Sequence, residues 1–246
     1  MLELKNVSFS ANSENGEKEI LKNISFKAED GFVAITGPNG GGKSTLAKII
    51  AGIIKPTSGK IFLDNVDITD MSITERANVG ISFAFQQPVR FKGITVNDLI
   101  RLASGREISI SEACDYLSAV GLCARDYINR EVNASLSGGE LKRIEIATVL
   151  ARGTKVSLFD EPEAGIDLWS FNNLINVFEK MHERLGGTVI IISHQERILN
   201  IADKVAVISG GILKAYGAKD DILPELLDVT ASACKVLTDK MEEIKP

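Results

Sequence analysis

The segment Gly37–Ser44 constrains the fold of this chain more than any other stretch of its sequence. It reads G-x-x-x-x-G-K-S and follows Phe32–Thr36, a short run of mostly apolar and β-branched residues. It precedes Thr45–Ala51, in which apolar residues recur at helical spacing. This order predicts a buried strand, a glycine-rich loop and a helix. A strand before it and a helix after it are the context in which this pattern forms a phosphate-binding loop.

The residue types of this loop suit the binding of a triphosphate. Glycines let the backbone curl round an anion so that its N–H groups point inward, and the helix N-terminus adds a positive dipole end. Lys43 supplies a positive charge to the outer phosphates, and the Ser44 hydroxyl is a candidate ligand of Mg²⁺. The predicted nucleotide-binding residues of this stretch are Gly37, Pro38, Asn39, Gly40, Gly41, Gly42, Lys43, Ser44 and Thr45.

Composition narrows the classes of protein to which the chain can belong. It has 246 residues and a formal net charge of −5, which argues against a dedicated nucleic-acid binder. The longest apolar runs are only a few residues, as at Val189–Ile192, so we expect no membrane insertion. The N-terminus lacks a signal-peptide pattern, and none of the three cysteines forms a C-x-x-C pair. We therefore expect a cytoplasmic protein, and another chain must supply any membrane span in its complex.

The hydrophobic pattern divides the chain into an α/β core and a helical insert. Residues 1–87 and 154–246 show strands alternating with helices, whereas the pattern of residues 88–153 becomes helical. We expect a single domain whose core has a mostly parallel sheet and an antiparallel β layer, with the insert as a helical subdomain. The last helix of the insert has one apolar face, and its charged residues, including Lys142 and Glu145, fall largely on the other.

Two alternating segments near the N-terminus, Leu2–Phe9 and Ile20–Ala28, predict antiparallel strands beside the nucleotide site. The polar stretch Asn12–Gly16 between them predicts a loop. Phe9 has two interpretations: its ring stacks on a purine base, or it is a strand residue that faces the core. We keep Phe9 as a candidate nucleotide-binding residue, with both alternatives open.

Two adjacent carboxylates follow a predicted buried strand at Val156–Phe159. The C-terminal end of a strand in such a sheet faces the ligand crevice, where Asp160 is suited to hold Mg²⁺ through a water molecule. Glu161 projects differently and can reach an attacking water as a general base. The alternative is that both acids cap a helix N-terminus. The presence of a phosphate loop in the same sheet favours the catalytic interpretation.

The segment Leu136–Glu140 is a second candidate anion-binding motif. It combines the Ser137 hydroxyl and two glycines, Gly138 and Gly139, with a predicted helix start. Two phosphate-binding motifs on separate subdomains suggest a shared site, to which each of two protomers contributes one motif. A further polar residue, His194, ends a predicted strand beside the first site.

Taken together, these motifs resemble those of the ATP-binding cassette (ABC) ATPases, and the resemblance covers nearly the whole chain. The matching positions, in the order and approximate spacing of that family, are Gly37–Ser44, Gln86, Leu136–Glu140, Asp160–Glu161, Asp167 and His194. The resemblance implies an α/β P-loop cassette that hydrolyses ATP with Mg²⁺ and closes as a head-to-tail dimer with a second copy of itself.

The resemblance also implies roles for individual residues. Gln86 would sense the γ-phosphate and ligate Mg²⁺, and His194 would contact the γ-phosphate. Asp167 would lie in a loop that crosses the dimer interface. Ser137 and Gly139 would bind the nucleotide held by the partner protomer. Glu161, His194 and Gln86 are therefore the predicted catalytic residues, and Ser44, Gln86 and Asp160 the predicted metal ligands.

Within that superfamily, four segments look like the ATPase subunit of the SUF iron–sulfur cluster assembly machinery (SufC-type). They are Ala84–Val89, Ser137–Arg143, Glu163–Asp167 and His194–Leu199.

The SUF resemblance implies a soluble SUF scaffold protein that docks near Gln87–Ile94. Phe91 is the candidate anchor of this surface, and the alternative is that it packs on the helical insert. Leu136 and Pro162 are more typical of transporters. The alternative function is therefore the ATPase subunit of a membrane importer.

Overall fold

The structure is a computed structural model that describes residues 1–13, 16–29, 31–185, 187–224 and 226. Its strands are β1 (Leu2–Ser13), β2 (Gly16–Ala28), β3 (Gly31–Thr36), β4 (Ser58–Leu63), β5 (Val66–Asp67), β6 (Ile81–Ala84), β7 (Val156–Asp160), β8 (Thr188–Ile192), β9 (Lys204–Ser209) and β10 (Ile212–Ala218). Its helices are α1 (Lys43–Ala51), α2 (Ile73–Val79), α3 (Val96–Ser104), α4 (Ile110–Ala119), α5 (Ala124–Tyr127), α6 (Gly138–Arg152), α7 (Leu168–Leu185) and α8 (Glu196–Ile201).

A six-stranded sheet in the order β10-β9-β3-β8-β7-β6 forms the centre of the molecule. Its pairs from β9 through β6 are parallel, and β10 joins antiparallel to β9 in a hairpin. Strands β3, β7 and β8 are buried along their whole length, which explains their nearly continuous apolar sequences. The prediction of a mostly parallel core sheet is confirmed.

A separate antiparallel sheet in the order β2-β1-β4-β5 forms the predicted β layer. Its hairpin is longer than predicted, because β1 continues to Ser13 and β2 begins at Gly16. Most of the stretch Asn12–Gly16 is therefore strand rather than loop. Asn12 pairs with Glu17, and both side chains are exposed, so backbone hydrogen bonding extends the ladder where no apolar pattern marks it.

The predicted insert contains α3, α4, α5 and α6. Three of these helices begin with capping boxes, at Thr95, Ser109 and Ser137, in which a side chain and a backbone N–H bond reciprocally. The apolar residues of the insert join one face of the six-stranded sheet in a single cluster. The opposite face of that sheet packs with α1 and the antiparallel layer in a second cluster.

The hydrophobic pattern did not predict two short elements. Helix α8 and strand β5 are short and carry little periodic signal, so the pattern did not reveal them. The predicted helical tail from Ile222 lies largely outside the described residues. Among the residues that the structure describes, no helix combines the length and apolar character needed to cross a membrane.

Candidate ATP-hydrolysis site

The phosphate loop connects the end of β3 to the start of α1, as the sequence predicts. Its glycines are required by close packing. Gly37 has φ 130°, and a Cβ there would lie 2.0 Å from the carbonyl oxygen of Ile208 in β9. Gly42 has φ 102°, and its Cβ would lie 2.6 Å from a methyl group of Leu21 in β2. The loop is therefore held between two strands, with its concave side facing a cavity.

Lys43 lies at the start of α1 with its side chain folded over the loop. It is buried, and its Nζ donates to the carbonyl oxygens of Gly37 at 2.7 Å and Pro38 at 3.0 Å. Burial lowers the pKa of Lys43, and the nearby carboxylates of Glu161 and Asp160 partly oppose that shift. A bound phosphate would give this buried ammonium a charged partner.

Ser44 and Asp160 meet at the floor of the site although they are far apart in sequence. The Ser44 hydroxyl donates to Asp160 Oδ1 at 3.0 Å. Burial raises the pKa of Asp160, while the bond from Ser44 lowers it and the charge of Glu161 raises it further. The residues present fit Mg²⁺, because this ion is commonly held by one or two carboxylates and completed by substrate phosphates. The described ranges contain no group of three or more His, Cys, Asp or Glu residues that could hold a metal without other ligands.

Glu161, Gln86 and His194 come together where three parallel strands end. Gln86 Nε2 donates to Glu161 Oε2 at 2.6 Å, and His194 Nε2 lies 3.8 Å from Glu161 Oε1. Glu161 has φ 48°, an unusual value for a residue with a side chain. Its N–H donates to the Ile192 carbonyl at 3.0 Å, which holds the backbone in place. Strained backbone of this kind is found at active sites, where the surrounding structure maintains it.

The surroundings of His194 favour the neutral form of its imidazole. Burial lowers the pKa of the imidazole, the charge of Lys43 lowers it further, and the carboxylate of Glu161 opposes both. A neutral imidazole has both a donor and an acceptor nitrogen. His194 can therefore donate a hydrogen bond to a phosphate oxygen without carrying charge.

An open cavity of about 740 Å³ contains most of the predicted nucleotide-binding residues. The predicted residues along it are Asn39, Gly40, Gly41, Gly42, Lys43, Ser44, Thr45, Gln86 and Glu161. Lys18, Glu19 and Ile20 of β2 and the turn at Gly210 and Gly211 also line it. The sequence analysis missed those last five residues, because no local motif marks them and only the pairing of strands brings them to the loop.

Phe9 is placed differently from the residues of the loop. Its side chain is half-buried and packs against the apolar cluster between the two sheets. Within the described structure it is not among the residues along the cavity. Phe9 stays a candidate nucleotide-binding residue, and both interpretations of its ring remain predictions.

The residues of the second anion-binding motif are not among those that line the cavity of the same chain. Ser137 is the N-cap of α6, and its Oγ accepts the Glu140 N–H at 3.3 Å. A Cβ added at Gly138 or Gly139 would meet nothing within 4 Å, so packing within this chain does not require glycine at either position. Ser137 and Gly138 are exposed. The motif therefore presents an open surface to a group outside the chain.

The loop before α7 also lies at the surface. It turns through hydrogen bonds from Ala164 N–H to the Glu161 carbonyl and from Ile166 N–H to the Glu163 carbonyl. Asp167 is exposed at its end, and its carbonyl accepts the Phe171 N–H in the first turn of α7. The loop thus connects Glu161 directly to the exposed residue Asp167 just before α7.

The fold and this site define a P-loop ATPase that binds ATP and Mg²⁺. The chain belongs to the ABC transporter family, whose sequence model matches residues 21–164. A solved bacterial ABC transporter cassette that is similar to this chain is dimeric. The predicted fold class and ATPase activity are thereby confirmed.

Similar proteins carry transporter names. An uncharacterized ABC transporter ATP-binding protein of Methanocaldococcus jannaschii is 39% identical over 215 residues, which are 83% of this chain and 86% of that protein. A sulfate/thiosulfate import ATP-binding protein of Mesorhizobium japonicum is 37% identical over 82% of this chain and 60% of its own length. A dimeric ATP-binding cassette bound to ADP and Pi has a TM-score of 0.80 at 26% identity, covering 89% of this chain and 99% of that one.

Proposed function

We propose that Glu161 is the general base that activates water for attack on the γ-phosphate of ATP bound at Gly37–Thr45. The observation that carries this proposal is the convergence of Gln86 and His194 on Glu161, beside the Ser44–Asp160 pair. Gln86 orients the carboxylate and the water, and His194 contacts the γ-phosphate. Ser44, Gln86 and Asp160 hold Mg²⁺, which when bound neutralises charge on the phosphates.

The complete site forms between two copies of the chain arranged head to tail. Ser137 and Gly139 of each copy contact the nucleotide held by the other, and Asp167 lies in the loop that crosses between them. The open space around Gly138 and Gly139 supports this arrangement. A solved cassette of the same fold, which is dimeric and bound to ADP and Pi, supports it as well.

The conformational change driven by ATP hydrolysis is transmitted to a partner protein through the segment Gln87–Ile94. An apolar groove of about 180 Å³ lies along this segment, and its lining includes Phe85, Val89, Phe91 and residues of α3 and α6. Phe85 is 37% exposed and Val89 is 48% exposed. Phe91 is partly buried against the cluster of the insert, so Phe85 and Val89 replace it as the principal anchors of the docking surface.

The proposed partner is a soluble iron–sulfur assembly scaffold of the SUF type. Its support is the likeness of four segments around the site to the SUF ATPase subunit, including the loop Ala164–Asp167. ATP-driven closure of two cassettes would then change the conformation of the scaffold. The chain would be cytoplasmic and would bind no nucleic acid.

The second candidate is the ATPase subunit of a membrane importer, and the names of relatives favour it. These include the sulfate/thiosulfate import protein and an energy-coupling factor transporter protein of Clostridium acetobutylicum that is 33% identical. Both candidates share the hydrolytic site and differ only in the partner.

Affinity purification of the tagged chain from its native cells, separately from soluble and detergent-solubilised fractions, tests the assignment. A soluble partner that carries iron and acid-labile sulfide supports the scaffold. A co-purifying integral membrane protein, with no iron-containing partner, replaces it with the importer.

A further inference from the structure

A buried lysine and a partly buried glutamate lie one turn apart on α6. Lys142 and Glu145 are separated by three residues, and Lys142 Nζ lies 3.7 Å from Glu145 Oε2. The side chain of Lys142 is only 1% exposed. The sequence pattern placed both residues on the charged face of the helix. That face packs against the chain segment that follows β6.

The two side chains bind backbone groups of two consecutive residues of that segment, Phe85 and Gln86. Lys142 Nζ donates to the carbonyl oxygens of Phe85 and Gln86, the latter at 3.0 Å. Glu145 Oε1 accepts the Phe85 N–H at 2.9 Å. Strand β6 is at the edge of the sheet and ends at Ala84, so its ladder with β7 stops just before these groups. Lys142 and Glu145 thus take the place of a neighbouring strand.

Stability is a poor explanation for this pair. Burial lowers the pKa of Lys142 and raises that of Glu145, so the protein surroundings disfavour both charges. Glu145 Oε2 has no hydrogen-bond partner among the described atoms. Buried ion pairs are often no more stabilising than apolar residues of similar size. What the pair does supply is a set of directional hydrogen bonds that hold the backbone of Phe85 and Gln86.

The segment held by Lys142 and Glu145 connects directly to the hydrolytic site. The side chain of Gln86 donates to Glu161 Oε2 at 2.6 Å, while its carbonyl is held by Lys142. Helix α6 begins next to Ser137, five residues before Lys142, and α-helical hydrogen bonds link these positions. Any displacement of the Ser137 end of α6 is therefore passed to the backbone of Gln86.

We propose that Lys142 and Glu145 are positioning residues that set Gln86 against Glu161 and couple it to the Ser137 end of α6. This inference rests on the role proposed above for Gln86. We call Lys142 and Glu145 the clamp. When the partner protomer contacts Ser137, the clamp would transmit the resulting displacement to Gln86 and so to the attacking water. No ligand needs to touch either charged residue.

The test replaces the whole clamp with an apolar pair, Lys142→Met/Glu145→Met, in the full chain. Both charges are removed because loss of only one partner of a buried ion pair is the more destabilising change. The matched control is Arg152→Met, because Arg152 lies in the last turn of α6 and donates to the Ala77 carbonyl of the core at 3.1 Å. Glu145→Gln is the conservative variant, since its amide oxygen can still accept the Phe85 N–H.

Amide hydrogen exchange of the nucleotide-free protein measures how firmly Lys142 and Glu145 hold the backbone of Phe85 and Gln86. We expect the peptide containing Phe85 and Gln86 to exchange at least tenfold faster in the double variant, and at the normal rate in Arg152→Met and Glu145→Gln. Unchanged exchange in the double variant would overturn the proposal. If the double variant does not fold, Lys142→Leu/Glu145→Leu also removes both charges and the acceptor of the Phe85 N–H, and its exchange is compared with the same two controls.

Steady-state ATP hydrolysis then tests transmission to the site. We expect kcat to fall about 10- to 100-fold in the double variant, with the KM for ATP nearly unchanged, since misplacement of a positioned group acts on turnover. In a Gln86→Ala background the same replacement should change kcat by less than about twofold, because the clamp acts through Gln86.

Two results would count against the proposal in different ways. A full loss of kcat from the clamp variant in the Gln86→Ala background would show that Lys142 and Glu145 act independently of Gln86. A normal kcat in Gln86→Ala alone would instead overturn the role of Gln86, and with it the premise of the coupling.

Discussion

The amide of Gln86 donates to Glu161 Oε2 at 2.6 Å, across the ends of two neighbouring parallel strands. This bond joins the segment that enters the helical insert to the carboxylate placed beside the Ser44–Asp160 pair. A change in the position of the insert therefore changes the environment of the proposed base. The predictions below concern this site, the surfaces that complete it and the loop that supports it.

Glu161→Gln should retain ATP binding and lower turnover by about two to four orders of magnitude, because the amide cannot accept a proton from water. ATP affinity and hydrolysis of the purified variant measure the two effects. Glu179→Gln, an exposed change on α7, is the control and should leave both normal. Normal turnover in Glu161→Gln would remove Glu161 from the catalytic role.

Ser137→Arg should abolish the ATP-dependent dimer, since a bulky side chain would occupy the place of the partner's γ-phosphate. Light scattering with ATP, in the Glu161→Gln background that traps bound nucleotide, detects the change. Ser118→Arg on the exposed face of α4 adds the same side chain elsewhere and should leave dimers intact. A dimer of normal affinity with Ser137→Arg contradicts the head-to-tail arrangement.

Gly37→Ala should disrupt the phosphate loop, whereas Gly40→Ala should be tolerated. Both glycines have positive φ, which costs a residue with a side chain roughly 1–2 kcal/mol. Only at Gly37 does the added Cβ also meet a backbone atom, at 2.0 Å, while nothing lies within 4 Å of it at Gly40. Thermal unfolding and ATP affinity measure the difference, and equal losses in the two variants would be the contrary result.

Asp160→Asn should stabilise the nucleotide-free protein at neutral pH while weakening Mg²⁺-dependent ATP binding. Burial raises the pKa of Asp160, so its ionised form opposes folding, and that cost disappears as pH falls through the folded-state pKa. The advantage of Asn should therefore be greatest at neutral pH and shrink in acid. Thermal unfolding across this pH range checks it, with the exposed change Asp115→Asn as control. A variant less stable than wild type at neutral pH would refute the prediction.

Phe85→Ala should weaken binding of the partner about tenfold or more, as removal of a buried aromatic anchor from an interface does. The affinity of the monomer for ATP should stay nearly intact, because its backbone bonds to Lys142 and Glu145 do not depend on the ring. Leu102→Ala, at an exposed apolar residue of α3 outside this groove, is the matched control. Equal partner affinity in both variants would exclude the groove as the docking surface.

The sequence by itself determined the parts of the site whose residues are contiguous. The strand, loop and helix around Gly37–Ser44, the carboxylates at the end of β7 and the helix start at Ser137 each depend on neighbours a few residues away. Local backbone preference and hydrophobic periodicity record such relationships directly. The fold class followed for the same reason, since alternating strands and helices favour a mostly parallel sheet.

Only the tertiary structure decided which distant residues meet and which charged faces are covered. Lys18–Ile20 join the cavity because β2 lies beside the loop, and Gly37 must be glycine because the Ile208 carbonyl of β9 approaches it. Lys142 is buried because α6 packs on the end of an edge strand. Such contacts arise from strand order and helix packing between segments far apart in sequence, and the periodicity of one segment carries no record of what covers it.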